Sequence, residues 1–470
     1  MKRRNFLQQA GVAAAAFTII PRHVLGGKGF RAPSDMLSVA GIGVGGKGES
    51  DIAMFAKSGK ANIAYLCDVD DRRAANSVKA FPQAKYYKDF REMLDKEGKS
   101  IDAVSVSTTD HMHAVQALAA MELGKHVYVQ KPLTHDIFEA RQLTEAAKKY
   151  KVVTQMGNQG ASNDGVRLMR EWYDAGLIGE AHTVYCWTNR PVWPQGIAWP
   201  QASNSIPKEL DWNLWLGTAP QKNYVDNLVP FNWRGWWDYG TGALGDMALH
   251  IIEPAFRVLQ LGYPTSVEAS VGSVYVGEFK RGYFPDSCPP SSHIILTFPK
   301  KGKNVKFHWM DGGIQPERPE ELGANEIMGD GGNGVIIVGT KGKMMCDTYS
   351  ANPRLLPTSK SKELTSKVKQ TIARVPGGAE GHYAQWVEAC LAGYGKKEVS
   401  SPFEFAGPLT ESVLMGNLAL RAYDVRKPGE KEGQFTYPGR NIKLLWDGPN
   451  MKITNFDEAN QFVKREYRKF

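Results

Sequence analysis

A chain of 470 residues exceeds what one ordinary hydrophobic core holds, so two domains are expected, each large enough to bury its apolar surface without staples. Its five cysteines (Cys67, Cys186, Cys288, Cys346, Cys390) are scattered and lack CxxC spacing, which argues against a disulfide framework and a structural zinc site; one bridge stays compatible with the sequence, and no metal ligands are assigned. Six of the nine excess positive charges (Lys2, Arg3, Arg4, Arg22, Lys28, Arg31) fall in residues 1–34, where there is no acid. The remainder is an ordinary charge balance with no nucleic-acid-binding signature, and the basic end Lys464, Arg465, Arg468, Lys469 reads as a solvated tail.

In chain order, Lys2-Arg3-Arg4-Asn5-Phe6-Leu7 precedes a mild apolar stretch from Ala10 to Ile20, closed by Pro21. This looks like a twin-arginine export signal over residues 1–33. Its apolar run of about eleven residues is short of the roughly 20 that span a bilayer. A periplasmic protein is expected, membrane-tethered if the signal is not cleaved.

From Met36, short β-rich runs alternate with amphipathic stretches, the pattern of a parallel sheet with crossover helices. Strands are predicted at 37–40, 62–67, 103–107, 126–129 and 152–155, with helices near 47–57, 72–81, 90–96, 113–123 and 137–150. The texture changes after Met156. A helix near 164–174 leads into Trp187–Trp237, which holds eight of the twelve tryptophans among prolines, asparagines and glycines. Beyond it, β-rich runs at 266–276, 293–298, 304–309, 334–339 and 344–347 imply a mostly antiparallel sheet, the Ser359–Lys369 patch a surface loop, and 382–391 and 406–423 closing helices. The expected organisation is a parallel, doubly wound Rossmann domain over 34–155 and an α+β domain with a large, mostly antiparallel open sheet over 156–470.

Directly after the first strand, Gly41-Ile42-Gly43-Val44-Gly45-Gly46 fits G-x-G-x-x-G and opens a helix. In this frame Gly41 allows the tight turn, Gly43 admits a pyrophosphate to the backbone, Gly45 lies within the turn, and Gly46 permits close helix packing. Asp68, at the end of the second strand, can accept both adenosine ribose hydroxyls, which favours NAD over NADP.

The cofactor-facing strand ends carry the reactive groups. Ser107-Thr108-Thr109-Asp110-His111-Met112-His113 ends one strand and Gln130-Lys131-Pro132 follows the next. Asp246 and His250 are four apart and share a helix face, so the carboxylate can support an imidazole that takes a hydroxyl proton near neutral pH. In the tryptophan stretch, Trp193, Trp199, Trp233, Trp236 and Trp237 are candidates to pack on sugar rings, with Asn189, Arg190 and Arg234 nearby for hydroxyls; two or three of these rings are expected in a pocket.

Taken together, Gly41–Gly46, Asp68, Thr109–His113, Gln130-Lys131-Pro132, Gly157-Asn158-Gln159 and Asp246–His250 resemble the Gfo/Idh/MocA family of oxidoreductases, from about Met36 to the C-terminus. The resemblance implies cofactor contacts from Thr108, Thr109, His113, Gln130 and Lys131, and substrate contacts from Asn158 and Gln159. It also implies a lysine beside the reacting carbinol (Lys131), a histidine as general acid/base (His250), an aspartate supporting it (Asp246), and a homo-oligomer. The family triplet usually begins with Glu; Gln130 keeps hydrogen-bonding capacity but removes a negative charge beside Lys131.

The expected activity is hydride transfer between a tightly bound NAD and a secondary hydroxyl of a sugar, glycoside or polyol. Export through the twin-arginine machinery carries folded proteins, and a periplasm without free NAD requires a cofactor recycled in place. The alternatives are NAD-assisted glycoside cleavage through transient oxidation of the sugar, and a sugar-binding protein that has lost turnover.

Overall fold

A computed structural model describes residues 35–203 and 205–470; residues 1–33, where an export signal is expected, lie outside the described residues. Six strands, β1 (Leu37–Ile42), β2 (Ala61–Cys67), β3 (Lys85–Tyr87), β4 (Ala103–Val106), β5 (His126–Val129) and β6 (Thr154–Met156), form one parallel sheet in the order β3-β2-β1-β4-β5-β6. The short apolar runs of β4 and β5 are buried almost throughout, as strands covered on both faces must be. The crossovers are α1 (Lys47–Lys57), α2 (Asp71–Ala80), α3 (Phe90–Glu97), α4 (Asp110–Glu122) and α5 (Ile137–Tyr150). β3 has no sequence signal because it is a three-residue edge strand with no fully buried side chain. The strand order reverses between β1 and β4, which opens a crevice at their carboxyl ends.

The second sheet is built from β7 (Ala181–Trp187), β8 (Ser266–Val271), β9 (Ser292–Lys300), β10 (Lys303–Met310), β11 (Gly334–Gly339), β12 (Lys343–Cys346), β13 (Arg354–Leu356), β14 (Leu444–Asp447) and β15 (Lys452–Ile453). Its order is β13-β12-β11-β7-β10-β9-β8-β14-β15, antiparallel except where Phe307 of β10 runs parallel beside Val184 of β7. β7, at the middle of this sheet, was not among the predicted strands; its alternation is blurred by the aromatic run into which it leads.

The remaining helices are α6 (Asp164–Asp174), the short α7 (Trp212–Leu216), α8 (Gly242–Leu259), α9 (Thr358–Thr365), α10 (Gly378–Ala392) and α11 (Phe403–Tyr423). Along α8 only Asp246 and Arg257 escape burial, so the helix is wedged into the core, and Asp246, His250, Glu253 and Arg257 form the one polar stripe along it. α10 returns to the back of the first sheet, where Trp386 and Tyr383 meet Phe55 and Tyr128 at centroid distances of 4.9 to 5.7 Å. Each such ring pair adds about 0.5–1.5 kcal/mol beyond its buried area.

Two expectations are corrected. The Ser359–Lys369 patch is largely helical rather than a loop: α9 runs through Thr365, with Thr365 donating to the Ser361 carbonyl, and composition alone hid it because none of its residues is buried. The basic end is no solvated tail. The Arg465 side chain is only 15% exposed, and its Nε and Nη2 donate to Glu139 Oε1 at 3.0 and 2.7 Å. Arg468 binds the carbonyls of Asn213, Gly217 and Ala219, and the Phe470 ring covers Arg91.

Glu139 also closes a capping box with Asp136 at the start of α5, so its charge is held by backbone donors and by Arg465 at once. Replacing Arg465 with Ala strands a buried carboxylate, and a loss of about 3–5 kcal/mol is expected. A lowered denaturant midpoint checks this; an unchanged midpoint would contradict a stabilising role for this C-terminal strap, residues 465–470.

Candidate functional site

A cleft of about 670 Å³ lies at the crevice between β1 and β4 and reaches α8 of the second half. One end is lined by Gly43, Gly45, Gly46, Asp68, Thr108 and Thr109, the other by Lys131, Arg190, Arg234, Asp246 and His250, with Gln130 and Gln159 also on its wall.

The glycine turn sits two residues later than the sequence frame. Gly41 is inside β1, paired with Leu66 and Ser105, and does not line the cleft. Gly43 makes the turn at φ +75°, where a Cβ would stand 2.7 Å from the Ser107 carbonyl oxygen. Gly48 provides the close packing assigned to Gly46, because a side chain there would run into the Gly43 carbonyl. The working fingerprint is therefore Gly43-Val44-Gly45-Gly46-Lys47-Gly48.

Helix ends divide by what they face. α2, α3 and α5 are capped by the side chains of Asp70, Asp89 and Asp136. α1 and α4, whose preceding residues Gly46 and Thr109 line the cleft, have no side-chain cap. Uncapped N–H groups beside glycines form a ready anion cradle, and Lys47 and Arg73, which sequence reasoning missed, add cations to the same wall. Asp68 Oδ2 accepts from the Val44 and Gly45 N–H groups at 2.9 and 3.2 Å; burial pushes its carboxyl up to about 6 despite these donors. The cradle, the carboxylate beside it and the partnerless Gln159 Oε1 together fit a dinucleotide.

At the other end Lys131 Nζ donates to Asp246 Oδ1 at 2.8 Å and to the Asp246 carbonyl at 2.7 Å, leaving one donor for a ligand oxygen. Burial would raise the Asp246 carboxyl, but Lys131 and Arg234 outweigh it and hold it down to about 2. Asp246 thus serves the ammonium. The expected support of the imidazole is corrected: no hydrogen bond joins Asp246 to His250 among the described residues, and His250 Nδ1 is buried without a partner. Burial, with Lys131 adding to it, drives His250 well below its ordinary value, so the ring is neutral at pH 7 and one of its nitrogens carries a lone pair. Tyr349 packs edge-on at 4.7 Å from the His250 ring, held at φ 62° on a turn that no sequence motif marks.

Several other candidates stand apart. His113 is buried, its Nδ1 donating to the Pro132 carbonyl at 2.7 Å with Nε2 3.2 Å from the Thr108 carbonyl, and it does not line the cleft; it secures the turn that carries Lys131. Asn158 is buried one residue back from Gln159, and Asn189 is exposed; neither is on the cleft wall. Trp193, Trp236 and Trp237 are core residues: Trp193 supports Phe231 edge-on and Trp236 packs against Trp199. Of the five tryptophans expected there, Trp233 alone lines the cleft, joined by Trp215, Phe231 and Tyr349. Only contacts between distant segments decide which ring faces in, and spacing carries no trace of them.

Two family models match the chain. The NAD-binding Rossmann-fold model of the Gfo/Idh/MocA oxidoreductase family covers residues 37–158, and that family's C-terminal alpha/beta domain covers residues 178–275. A levoglucosan dehydrogenase of Pseudarthrobacter phenanthrenivorans is 25% identical over 372 residues, 77% of this chain and 84% of that protein. A glycosyl hydrolase family 109 protein of Shewanella putrefaciens is 32% identical over 171 residues, which span 31% of this chain and only 37% of that protein. In fold, the chain is similar to the crystal structure of the WlbA dehydrogenase from Bordetella pertussis in complex with NADH and UDP-GlcNAcA: TM-score 0.56, 17% identity, 84% of this chain and 100% of that one.

Proposed function

From the premise that this chain belongs to the Gfo/Idh/MocA family of NAD-binding oxidoreductases, we propose that it moves a hydride between NAD and a secondary hydroxyl of a sugar, glycoside or polyol. The observation that carries this is the meeting of the Lys131 ammonium and a neutral His250 imidazole in the cleft whose other end is the Gly43–Gly48 turn with Asp68. The levoglucosan dehydrogenase relative and the aromatic wall of Trp215, Phe231, Trp233 and Tyr349 support a carbohydrate substrate.

NAD bound in the cleft would be held by the Gly43–Gly48 turn and Asp68 and would supply the hydride acceptor. His250 takes the proton of the substrate hydroxyl, and the free donor of Lys131 stabilises the oxygen as charge develops on it. Asp246, itself paired with Arg234, keeps that ammonium in place. The test is to purify the protein without added cofactor, identify any released nucleotide by mass, and add pyranoses, anhydrosugars and cyclitols. Growth of the near-ultraviolet band of reduced nicotinamide is expected, and a nucleotide-free, unresponsive protein contradicts the reading.

Asp68 gives a pH signature. Its ionised form is the acceptor for ribose hydroxyls, and its pKa of about 6 lies above the ordinary 3.8. NADH affinity is therefore expected to fall as pH drops through about 6, and Asp68→Asn to bind more weakly with a flatter profile. Fluorescence titration across that range checks both; parallel profiles would contradict the assignment.

The glycosyl hydrolase relatives favour a second reading, cleavage of a glycoside through transient oxidation. Release of an aglycone without net reduced nicotinamide would identify it. We extend the proposal to twin-arginine export, a periplasmic location, a retained cofactor and a homo-oligomer. Arg3-Arg4 ahead of the apolar stretch supports the export signal, and a half-exposed sheet face carrying Tyr185, His293 and His308 supports association.

A further inference from the structure

One carboxylate behind the cleft wall is wholly buried yet takes no part in the mechanism above. Asp51, on α1, has no exposed surface. Its Oδ1 accepts from Lys47 Nζ at 2.5 Å, and its Oδ2 from Ser107 Oγ at 2.9 Å and from Gln130 Nε2 at 2.8 Å. A carboxylate held by an ammonium and a hydroxyl can only accept, so the Gln130 amide must present its nitrogen to it. That settles which way the amide faces: Nε2 points to Asp51, and Oε1, which accepts weakly from the Lys131 N–H at 3.3 Å, is the acceptor left for the cleft. The seat is tight, since a Cβ on Gly157 would stand 2.6 Å from Nε2.

We propose that Asp51 is a positioning residue for cofactor binding: it places a negative charge behind Gln130, one residue removed from the cleft, and locks Gln130 so that the amide oxygen accepts from a hydroxyl of the nicotinamide ribose. This rests on the NAD reading above and deepens it. The pairing makes position 130 dependent on position 51. A carboxylate at 130 would stand at hydrogen-bond distance from the Asp51 carboxylate, and two like charges there repel or force one to take up a proton. An amide at 51 removes the conflict, because it can donate to a carboxylate at 130 and restores the same pair with the roles exchanged.

The experiment measures NADH affinity by fluorescence titration of the full protein, stripped of bound nucleotide, for wild type, Gln130→Glu, Asp51→Asn and the double variant. Gln130→Glu is expected to weaken NADH binding about tenfold or more through the like-charge contact. Asp51→Asn, whose amide no longer dictates the orientation of Gln130, should weaken it several-fold, and Asp51→Asn with Gln130→Glu should recover most of the loss. If Gln130→Glu fails to fold, a folded double variant that binds NADH supports the proposal equally. Wild-type affinity in Gln130→Glu, or a double variant no better than the worse single, overturns it while leaving the NAD reading intact. A wild-type protein that binds no NADH overturns both.

Discussion

Replacing Lys131 with Met is expected to lower kcat by about 10²–10³-fold while NADH affinity stays within a few-fold of wild type. The ammonium is fixed by two hydrogen bonds to Asp246 and keeps one donor for a substrate oxygen. That donor matters most when the oxygen carries charge, so its loss falls on the transition state more than on the bound ground state. Methionine retains much of the stem's volume, and Arg234, with Nε 3.4 Å from Asp246 Oδ1, still compensates the carboxylate. The variant should therefore fold. Steady-state rates with a responsive sugar, read beside NADH titration, check the separation; a kcat near wild type would remove Lys131 from the chemistry.

The second large effect is at His250. His250→Ala should reduce turnover by about 10²–10⁴-fold, the usual range for loss of a positioned general base. Burial and Lys131 both hold the ring neutral, so the imidazole is unprotonated at pH 7 before substrate binds. The variant should also lose whatever limb of the pH–rate profile reports this imidazole. Tyr349 packs on the same ring, so Tyr349→Ala, which removes that contact and keeps the imidazole, makes a fair control for packing loss. If His250→Ala keeps both its rate and its pH profile, the proton goes elsewhere.

What could be read in advance was whatever local chemistry at a strand end determines. Asp68 closes a strand, Lys131 follows one, and Asp246 and His250 share one helix face, so each position follows from a period of two or of 3.6 plus the crevice rule for parallel sheets. The glycine frame was misread by two residues because Gly41, Gly43, Gly45, Gly46 and Gly48 offer overlapping matches, and only the end of β1 at Ile42 chooses among them. Asp246 was assigned to His250 on helical spacing, whereas its ion pair crosses from α8 to the turn after β5, a contact no spacing encodes. The same holds for Tyr349, for the aromatic wall and for the C-terminal strap. Arg465 and Glu139 are 326 residues apart, so their pairing belongs to the tertiary fold. Composition misled most where it was used alone: tryptophans suggested a pocket and largely built a core, and basic residues suggested a free tail and instead tied it down.

The most direct test follows the hydrogen itself. A responsive sugar deuterated at its secondary carbinol carbons is mixed with the protein and its own bound nucleotide, and the nucleotide is then released and weighed. Deuterium on the nicotinamide ring, absent in the Lys131→Met and His250→Ala proteins over the same interval, is the predicted result. A sugar converted with no deuterium reaching the nucleotide would contradict hydride transfer in this cleft.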